Sequence, residues 1–406
     1  MSSKPNIRFR GFTDDWEQRK LGDMGETYTG LSGKTKEDFG HGDAKFVTYM
    51  NVFSNSIADS TMTESVEIDK KQNEVKYGDV FFTTSSETPD EVGMSSVWLE
   101  NTENTYLNSF CFGYRSNENI NPYYMAYMLR SENVRKNIIF LAQGISRYNI
   151  SKNKMMEISV PLPTLDEQQK IGNYFRNLDN LITLHQRKCD ETKELKKYLL
   201  QKMFPKNGER VPEIRFAGFT DDWEQRKLGE LYIERNERGN DSLQILSVSI
   251  HTGVSDRALD EETLGKFVKR SEDKSTYKHV YAGDLIFNMM RAWQGAIGVA
   301  KNEGMISPAY ISAIPNDEVY PLFMDYALRR DSAIAEINNL SYGVTDFRKR
   351  LYWDSFVKVG CKIPSVNEQR KIYDYFKNLD NLITLHQRKC DGFKELKKYL
   401  LNKMFP

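Results

Sequence analysis

The side chains that could do chemistry in this sequence are basic, amide and hydroxyl groups gathered in short loops. Such groups bind phosphate oxygens and the edges of nucleic-acid bases. In the first half of the chain the candidates are Lys34, Lys36, Thr83, Thr84, Ser85, Arg147, Tyr148, Asn149 and Lys152. In the second half they are Arg235, Arg238, Arg291, Gln294, Tyr342, Thr345 and Arg348. For each residue the alternative is an ordinary solvated surface loop.

Catalytic motifs do not accompany these loops. The segment NPYY at 121–124 lacks the second proline of the Asn-Pro-Pro-Tyr loop of amino methyltransferases, so we interpret it as the start of a helix. The dipeptide PD at 89–90 is not followed by the Asp/Glu-x-Lys of a metal-dependent nuclease, and no GxxxxGK[ST] loop for ATP is present. Four cysteines and five histidines show neither CxxC nor HxxxH spacing. We therefore expect no metal site, no disulfide framework and no catalytic residue.

The elements that must position the candidate loops are repeated. The segment IRFRGFTDDWEQRKLG at 7–22 returns at 214–229 with 15 of 16 residues identical. The segment at 176–205 returns at 377–406 with 26 of 30 identical. Between these frames the two interiors share only traces, such as a Gly-Asp pair followed by apolar residues. A period of about 200 residues is too long for a solenoid repeat of roughly 20–50 residues, so the sequence predicts a duplicated domain with a changed interior.

Each repeated unit ends in a segment predicted to be one long helix. Apolar residues recur at heptad spacing, and the stretch 166–204 would be about 58 Å long at about 1.5 Å per residue. An amphipathic helix lying on its own domain is the alternative, but that length favours an antiparallel coiled coil with the equivalent helix at 367–405. His185 and His386 are interpreted as packed or partner-bonded residues of this coil rather than ligands. The predicted packing residues are Ile171, Leu178, Leu181, Leu195, Leu199, Ile372, Leu379, Leu382, Leu396 and Leu400.

The predicted fold class is α+β, with two pseudo-repeated globular domains joined by two long antiparallel helices. The first globular domain is assigned to 1–165 and the first helix to 166–205. A linker and the second globular domain occupy 206–365, and the second helix occupies 366–406. A helical rod of about 58 Å corresponds to about 17 base pairs at about 3.4 Å each. Such a rod could hold two DNA half-sites apart, with an unread spacer between them.

Charge and composition narrow the class of protein. The chain is 39% hydrophobic, which indicates a folded protein, and it has neither an apolar run long enough to span a bilayer nor an apolar signal sequence. We expect it in the cytoplasm. Its 57 basic residues balance 57 acidic ones, yet the two helix regions, 167–206 and 368–406, each carry nine basic and five acidic residues. A chain this balanced should bind DNA weakly by itself.

The repeated segments resemble those of one known family. FTDDWEQRKLG opens each unit, and PLPTLDEQQKI (161–171) and IPSVNEQRKI (363–372) lead into the long helices. Together with the Gly-Asp strands, these residues resemble the DNA specificity subunit of type I restriction-modification systems over essentially the whole chain. The resemblance implies two target recognition domains, each binding one half of an asymmetric bipartite site in double-stranded DNA. It also implies helices that set the spacer and dock two adenine methyltransferase (modification) subunits.

The resemblance further implies a subunit without catalytic activity or cofactor of its own. S-adenosylmethionine would be carried by the modification subunits, and ATP with Mg by restriction and translocase subunits that join them. Two other classes stay open from the residues alone. One is a stand-alone DNA-binding regulator, and the other is a coiled-coil scaffold whose globular domains bind proteins.

Overall fold

A computed structural model describes residues 4–144, 147–206, 208–240, 242–255, 276–343, 345 and 348–406. The chain forms two compact units. Unit 1 is Met1–Arg187 with His386–Pro406, and unit 2 is Lys188–Leu385. Both boundaries fall inside the long helices. Each unit is therefore a globular α+β part completed by one portion of each long helix.

Unit 1 is built from small sheets and short helices around the start of a long helix. Its strands are β1 (Glu17–Lys20), β2 (Gly25–Thr29), β3 (Phe39–Val47), β4 (Thr63–Val66), β5 (Val80–Thr83), β6 (Ser85–Ser86), β7 (Ser95–Val97), β8 (Thr105–Leu107), β9 (Cys111–Ser116), β10 (Tyr148–Asn149) and β11 (Ser159–Leu162). Its helices are α1 (Leu21–Met24), α2 (Tyr49–Ser54), α3 (Pro122–Met128), α4 (Glu132–Phe140), α5 (Lys152–Met156) and the first part of α6 (Leu165–Lys202). The sheets have the orders β2-β9-β5-β7, β4-β3-β8, β1-β11 and β6-β10.

Unit 2 has a matching set of elements. Its strands are β12 (Glu224–Lys227), β13 (Tyr232–Glu234), β14 (Ser247–Ser249), β15 (Gly253–Ser255), β16 (Lys278–Val280), β17 (Leu285–Asn288), β18 (Ile297–Val299), β19 (Gly304–Ile306), β20 (Tyr310–Pro315) and β21 (Gly360–Ile363). Its helices are α7 (Leu228–Leu231), α8 (Pro321–Ala327), α9 (Asp331–Leu340), α10 (Trp353–Phe356) and the first part of α11 (Val366–Lys403). The sheets β13-β20-β17-β18 and β12-β21 repeat the orders of β2-β9-β5-β7 and β1-β11.

The central strands β5 and β17 begin with consecutive apolar residues because both faces of their sheets are covered. Val80, Phe81 and Phe82 of β5 are all buried, and Phe81 packs in a different cluster from its two neighbours. Because successive side chains point to opposite faces, both faces of this sheet are covered. In unit 2, Ile286 is likewise separated from Leu285 and Phe287. The two interiors therefore keep one architecture despite their diverged sequences.

The repeated opening segment clamps the start of each long helix. Arg8 donates from Nε and Nη2 to the carboxylate of Glu167 at 2.7 and 2.8 Å, and the Trp16 indole N–H donates to the same carboxylate at 3.2 Å. Arg215 binds Glu368 in the same way at 2.8 Å from both nitrogens. Both carboxylates are buried, so each depends on its arginine for compensation. This contact gives the repeated opening segment the same structural role in both units.

The far end of a long helix closes each unit with an aromatic residue. Phe405, at the end of α11, lies in the core of unit 1 with its ring centroid 5.7 Å from that of Tyr124 and 5.8 Å from that of Phe175. Phe204, at the end of α6, lies in the core of unit 2 at 5.6 Å from the Phe323 ring. Each unit thus needs the C-terminal end of one helix as well as the N-terminal start of the other.

Within each unit the two helix portions run antiparallel. In unit 1 the Lys397 Nζ lies 2.6 Å from the Asp179 carboxylate, and the Cys390 thiol lies 3.8 Å from the Ile182 carbonyl. Residue numbers rise along one helix as they fall along the other, which defines the antiparallel direction. Along α6 and its C-terminal end, a set of buried or half-buried positions recurs at heptad spacing, which makes a coiled-coil seam. They are Ile171, Phe175, Leu178, Ile182, His185, Cys189, Thr192, Lys196, Leu199 and Met203.

The observed seam shows that the predicted packing stripe was wrong at four of its ten residues. Ile171, Leu178, Leu199, Ile372, Leu379 and Leu400 are buried, whereas Leu181, Leu195, Leu382 and Leu396 are 36–45% exposed. The repeated NLDNLITLH segment has Leu and Ile side by side, so two stripes one residue apart fit the sequence, and packing selects the one with Ile182. His185 and His386 lie in the seam with their Nδ1 atoms 2.9 Å apart. Among the described residues, no helix combines the length and apolarity that crossing a membrane would require.

Candidate nucleic-acid interface

The Gly-Asp pair of each unit anchors a part-buried ion pair at the start of the central strand that leads to a candidate loop. Gly78 turns the chain at φ 89°, which favours glycine, and Asp79 then accepts two hydrogen bonds from Arg115 at 2.8 and 2.7 Å. The Tyr28 hydroxyl donates to the same carboxylate at 2.7 Å. Burial, and then the neighbouring Asp79 charge, raise the pKa of Tyr28 well above its ordinary value. The tyrosine therefore remains a neutral donor.

Unit 2 builds this ion pair with an arginine from a different strand. Arg235, one of the predicted DNA contacts, donates to Asp284 at 2.6 and 3.0 Å, and this hydrogen bonding raises its pKa. Its guanidinium also lies 4.5 Å from the centroid of the Tyr281 ring. The structure thus gives Arg235 a role in holding the sheet. It takes the role that Arg115 has in unit 1, although Arg115 lies in β9 and Arg235 directly follows β13. No sequence pattern had singled out Arg115.

In unit 1 the structure brings two of the three candidate loops together. Thr84 receives the Ile150 backbone N–H at 3.0 Å, and its own N–H donates to the Phe110 carbonyl at 3.0 Å. Strands β6 and β10 pair directly, with Asn149 opposite Ser85. Arg147 Nε lies 3.3 Å from the Ser85 hydroxyl. Residues from three distant parts of the sequence therefore form one surface.

Unit 2 repeats this backbone arrangement with other side chains. Met289 takes the place of Thr84: its N–H donates to the Ala309 carbonyl at 3.3 Å, and its carbonyl accepts the Leu351 N–H at 2.9 Å. Tyr342 and Arg350 form a bridge like that between Gln143 and Asn149. The loop after β17 and the loop after α9 consequently meet in unit 2 as their counterparts do in unit 1.

The predicted residues differ in how much surface they present. Thr83 is fully buried, and its hydroxyl accepts the Met94 N–H at 3.0 Å, so it supports the strand and offers no surface to a duplex. Ser85 is also buried, while Thr84 and Tyr148 are half-buried. Tyr342 is 51% exposed, with its ring centroid 4.9 Å from that of Tyr352. The remaining predicted residues of these loops are exposed: Arg147, Asn149, Arg291, Gln294, Thr345 and Arg348.

Four other predicted residues have different settings. Lys34 is paired with Asp69 at 3.1 Å and is largely buried, whereas Lys36 is exposed in a 3-10 turn. Lys152 begins α5 and is half-buried. Arg238 is exposed in an isolated bridge with Lys278. Among the described residues, no hydrogen bond, ion pair or bridge joins any of these four to the loop surfaces above.

Sequence reasoning missed three apolar residues at these surfaces. Phe110 is 57% exposed next to Thr84, and Met290 is 45% exposed next to Met289. Trp293 is half-buried, and its indole N–H donates to the Met290 carbonyl at 3.0 Å. The sequence signal for them was a large apolar side chain within a polar loop. Exposure of such a side chain to water is unfavourable, so its presence in a loop indicates a binding surface.

The NPYY segment has the structural role expected from the sequence. Its asparagine, Asn121, caps α3 by accepting the Tyr124 N–H at 3.0 Å, and Pro122 occupies the first turn. The Tyr124 ring is buried, with its hydroxyl donating to the Pro161 carbonyl at 2.6 Å. These contacts confirm the helix start. In the described part of the chain, no group of three His, Cys, Asp or Glu residues is placed to hold a metal ion.

These features define a two-unit α+β protein in which one scaffold carries two different loop surfaces. Residues 13–194 match the model of the type I restriction modification DNA specificity domain. The chain is 23% identical to the putative type I restriction enzyme MjaX specificity subunit of Methanocaldococcus jannaschii, over 96% of this chain and 92% of that protein. It is 20% identical to the MjaVIII specificity subunit of the same organism, with the same coverage.

Solved structures of specificity subunits have the same fold. The type I restriction-modification S subunit from M. genitalium aligns over 99% of both chains with a TM-score of 0.58 at 15% identity. The HsdS subunit from Thermoanaerobacter tengcongensis aligns over 100% of this chain and 99% of that one, with a TM-score of 0.50 at 17% identity. The chain is thus similar over nearly its whole length to type I restriction-modification specificity subunits, and its residues 13–194 carry the match to the specificity domain. These relatives are named specificity subunits, in agreement with the non-catalytic role predicted from the sequence.

Proposed function

We propose that the two units recognise the two halves of an asymmetric, bipartite site in double-stranded DNA. One observation carries this proposal: the same backbone arrangement presents Thr84, Arg147 and Asn149 in unit 1 but Arg291 and Tyr342 in unit 2. Arginine and asparagine hydrogen-bond to different base edges in the major groove, so a changed set of side chains selects a different sequence. In this proposal the long helices set the unread spacer.

The long helices also carry exposed apolar patches, which we assign to the modification subunits. In unit 1 the patch contains Leu181, Leu396 and Tyr399, which are 36%, 38% and 53% exposed. Leu181 and Leu396 each precede a seam residue by one position, and in an antiparallel pair such positions lie along the same edge. Exposed apolar groups along one edge are typical of a protein-binding surface.

Unit 2 carries the equivalent patch, formed by Leu195, Tyr198, Leu382 and Leu385, which are 44–50% exposed. Both patches come from the repeated helix sequence, so the same partner should dock twice, once on each unit. Two modification subunits per chain satisfy this requirement. One modification subunit per chain at saturation would contradict it.

The partners supply the chemistry in this proposal. S-adenosylmethionine would bind to the modification subunits, which methylate adenine, and ATP with Mg would bind to restriction and translocase subunits. The chain itself contributes target choice and assembly, in the cytoplasm with the DNA. Its neutral overall charge makes tight DNA binding dependent on the modification subunits. A free chain that bound the site as tightly as the assembled complex would contradict that dependence.

Adenine methylation mapping tests the proposal. DNA from cells that express the chain with its modification subunit is compared with DNA from cells that lack only the chain. The expected result is an asymmetric bipartite motif that requires the chain. An unchanged methylome with an active modification subunit present would instead support the protein-interaction scaffold. Sequence-specific DNA binding without any enzyme partner would support the stand-alone regulator.

A further inference from the structure

A basic cleft of about 830 Å³ lies in unit 2, and no recognition-loop residue is among those that line it. It is formed by the C-terminal part of α6 and the start of α9. One acidic residue, Asp331, lines it. The basic residues that line it are Lys193, Lys196, Lys197, Lys206, Arg329 and Arg330.

Some of these cations support the fold, and others are exposed on the rim. Lys196 is paired with Asp380 at 2.6 Å, and Arg330 lies with its guanidinium 4.2 Å from the centroid of the Phe204 ring. Burial lowers the pKa of Arg330 to about 10, so it stays charged at neutral pH. Lys193 and Lys197 are exposed, one helical turn apart on the same face of α6. Lys193 also lies 3.7 Å from the exposed Asp190 carboxylate, an intrahelical surface pair that contributes little to stability. Both lysines are therefore accessible to an anionic ligand.

Unit 1 contains the corresponding cleft, with a volume of about 620 Å³. Lys394, Lys397, Lys398 and Arg130 line it, which places the repeated lysines of α11 where unit 2 has those of α6. Two acidic residues, Glu132 and Asp179, also line this cleft and make it less positive. An equivalent basic cleft therefore occurs in each unit, and the cleft in unit 2 has the larger positive charge.

Each cleft is tied to a recognition loop by one short helix. Helix α9 begins at the cleft with Asp331 and ends at Leu340, just before Tyr342 of the recognition loop. Ten residues span about 15 Å. In unit 1, α4 likewise runs from Glu132 at the cleft to Phe140, ahead of the loop at 147–149. The cleft and the loop are thus close enough to touch one duplex, whose backbone carries a charge every 3.4 Å or so per strand.

The cleft lysines are repeated in both units whereas the recognition loops differ, and this contrast favours a ligand that is the same at both half-sites. The recognition loops belong to the interiors that differ, whereas the cleft lysines belong to the frame that is repeated. Base edges change from one half-site to the other, but the phosphodiester backbone does not. At about 100° per residue, Lys193 lies roughly 140–160° around α6 from Leu195 and Tyr198. Lys197 lies roughly 160° from Leu195 and 100° from Tyr198, so the cleft and the apolar patch are on different faces of the helix.

We propose that the two clefts bind phosphate groups of the DNA next to each recognised sequence. Backbone contacts of this kind hold the duplex in register while the loops contact the bases. The proposal rests on DNA recognition by the two units. The other ligand that a basic cleft could accept is an acidic segment of a partner protein, and the test separates the two.

The test measures how DNA affinity depends on salt for the chain assembled with its modification subunits. The variant is Lys193→Gln with Lys197→Gln, and the matched control is Lys358→Gln with Lys377→Gln. The control removes the same charge from exposed positions of unit 2 that do not line the cleft. Binding is measured from about 50 to about 200 mM salt on the mapped motif and on a scrambled duplex.

We expect the cleft variant to reduce the slope of log K against log salt by about 2, since each phosphate contact contributes about 0.9. The reduction should be equal on both duplexes, so that preference for the motif is unchanged, and the control should keep the wild-type slope. An unchanged slope in the cleft variant overturns the proposal. Weakened assembly with the modification subunits at an unchanged slope also overturns it, and assigns the cleft to an acidic protein segment. A wild-type complex with no preference for the motif would refute base recognition by the units instead.

Discussion

Replacing Arg8 by methionine should destabilise unit 1 by roughly 3–5 kcal/mol, because it leaves a buried carboxylate without its charge partner. Glu167 is fully buried, and two of its three side-chain hydrogen bonds come from Arg8. The third comes from Trp16 and survives the substitution. Methionine keeps much of the arginine volume, so the loss measures the ion pair rather than a cavity.

The equivalent substitution in unit 2 should cost about 1.5 kcal/mol more, the lower end of the range for a hydrogen bond to a charged group. Among the described residues, the buried Trp223 indole N–H has no hydrogen-bond partner. Glu368 therefore loses every side-chain donor that the structure shows when Arg215 becomes methionine. Two nearly identical frames thus predict two different losses.

Hydrogen exchange followed by mass spectrometry on the folded chain measures both losses, because peptides from each unit report the opening free energy of that unit. Arg19→Met is the control: Arg19 forms an exposed pair with Glu118, for which the expected cost is below about 1 kcal/mol. Replacing Arg8 and Glu167 together by apolar residues should recover most of the stability. If Arg8→Met cost no more than Arg19→Met, the clamp would be unimportant and the explanation of the repeated frame would fail.

Three further outcomes follow from the contacts described above. Phe405→Ala should cost roughly 3–5 kcal/mol in unit 1 and leave exchange in unit 2 unchanged, whereas loss in both units would refute separate closure. Leu396→Lys with Tyr399→Lys should reduce the number of bound modification subunits in native mass spectrometry from two to one, with no change in thermal unfolding; two retained subunits would remove the docking assignment. Hydrogen bonds from Gln72, then from the Lys71 N–H and Lys34, lower the pKa of Asp69 from 3.8 to about 2. Its contribution to stability is therefore present above about pH 4 and is lost as pH falls through 2. Carboxyl NMR of Gln72→Ala should show a higher Asp69 pKa, and an unchanged value would contradict this cause.

The long helices could be predicted from sequence because their signals are local. Pro163, the acidic first turn and Pro205 mark the limits of α6, and the structure places the helix at Leu165–Lys202. The packing stripe was less accessible, because Leu181 and Ile182 are adjacent and either could face the partner. Only the partner helix distinguishes them, and it lies about 200 residues away in the sequence.

The loop surfaces depended even more on distant parts of the chain. Thr84, Phe110 and Ile150 meet through backbone hydrogen bonds that leave no mark in the residue types. Arg235 had the composition of a DNA contact, yet a buried aspartate elsewhere in the sheet engages it. The repeated segments could be found from sequence identity alone. The structural equivalence of the two diverged interiors became apparent only from their matching sheet orders.

The central claim is that one scaffold carries two interchangeable recognition surfaces. The most direct measurement is the methylation motif of a chain in which the interior of unit 2, residues 230–360, is replaced by the interior of unit 1, residues 23–159. The account predicts that the two halves of the motif become the same sequence and that the half contributed by unit 1 does not change. A motif that kept its original unit 2 half, with the complex still active, would contradict it.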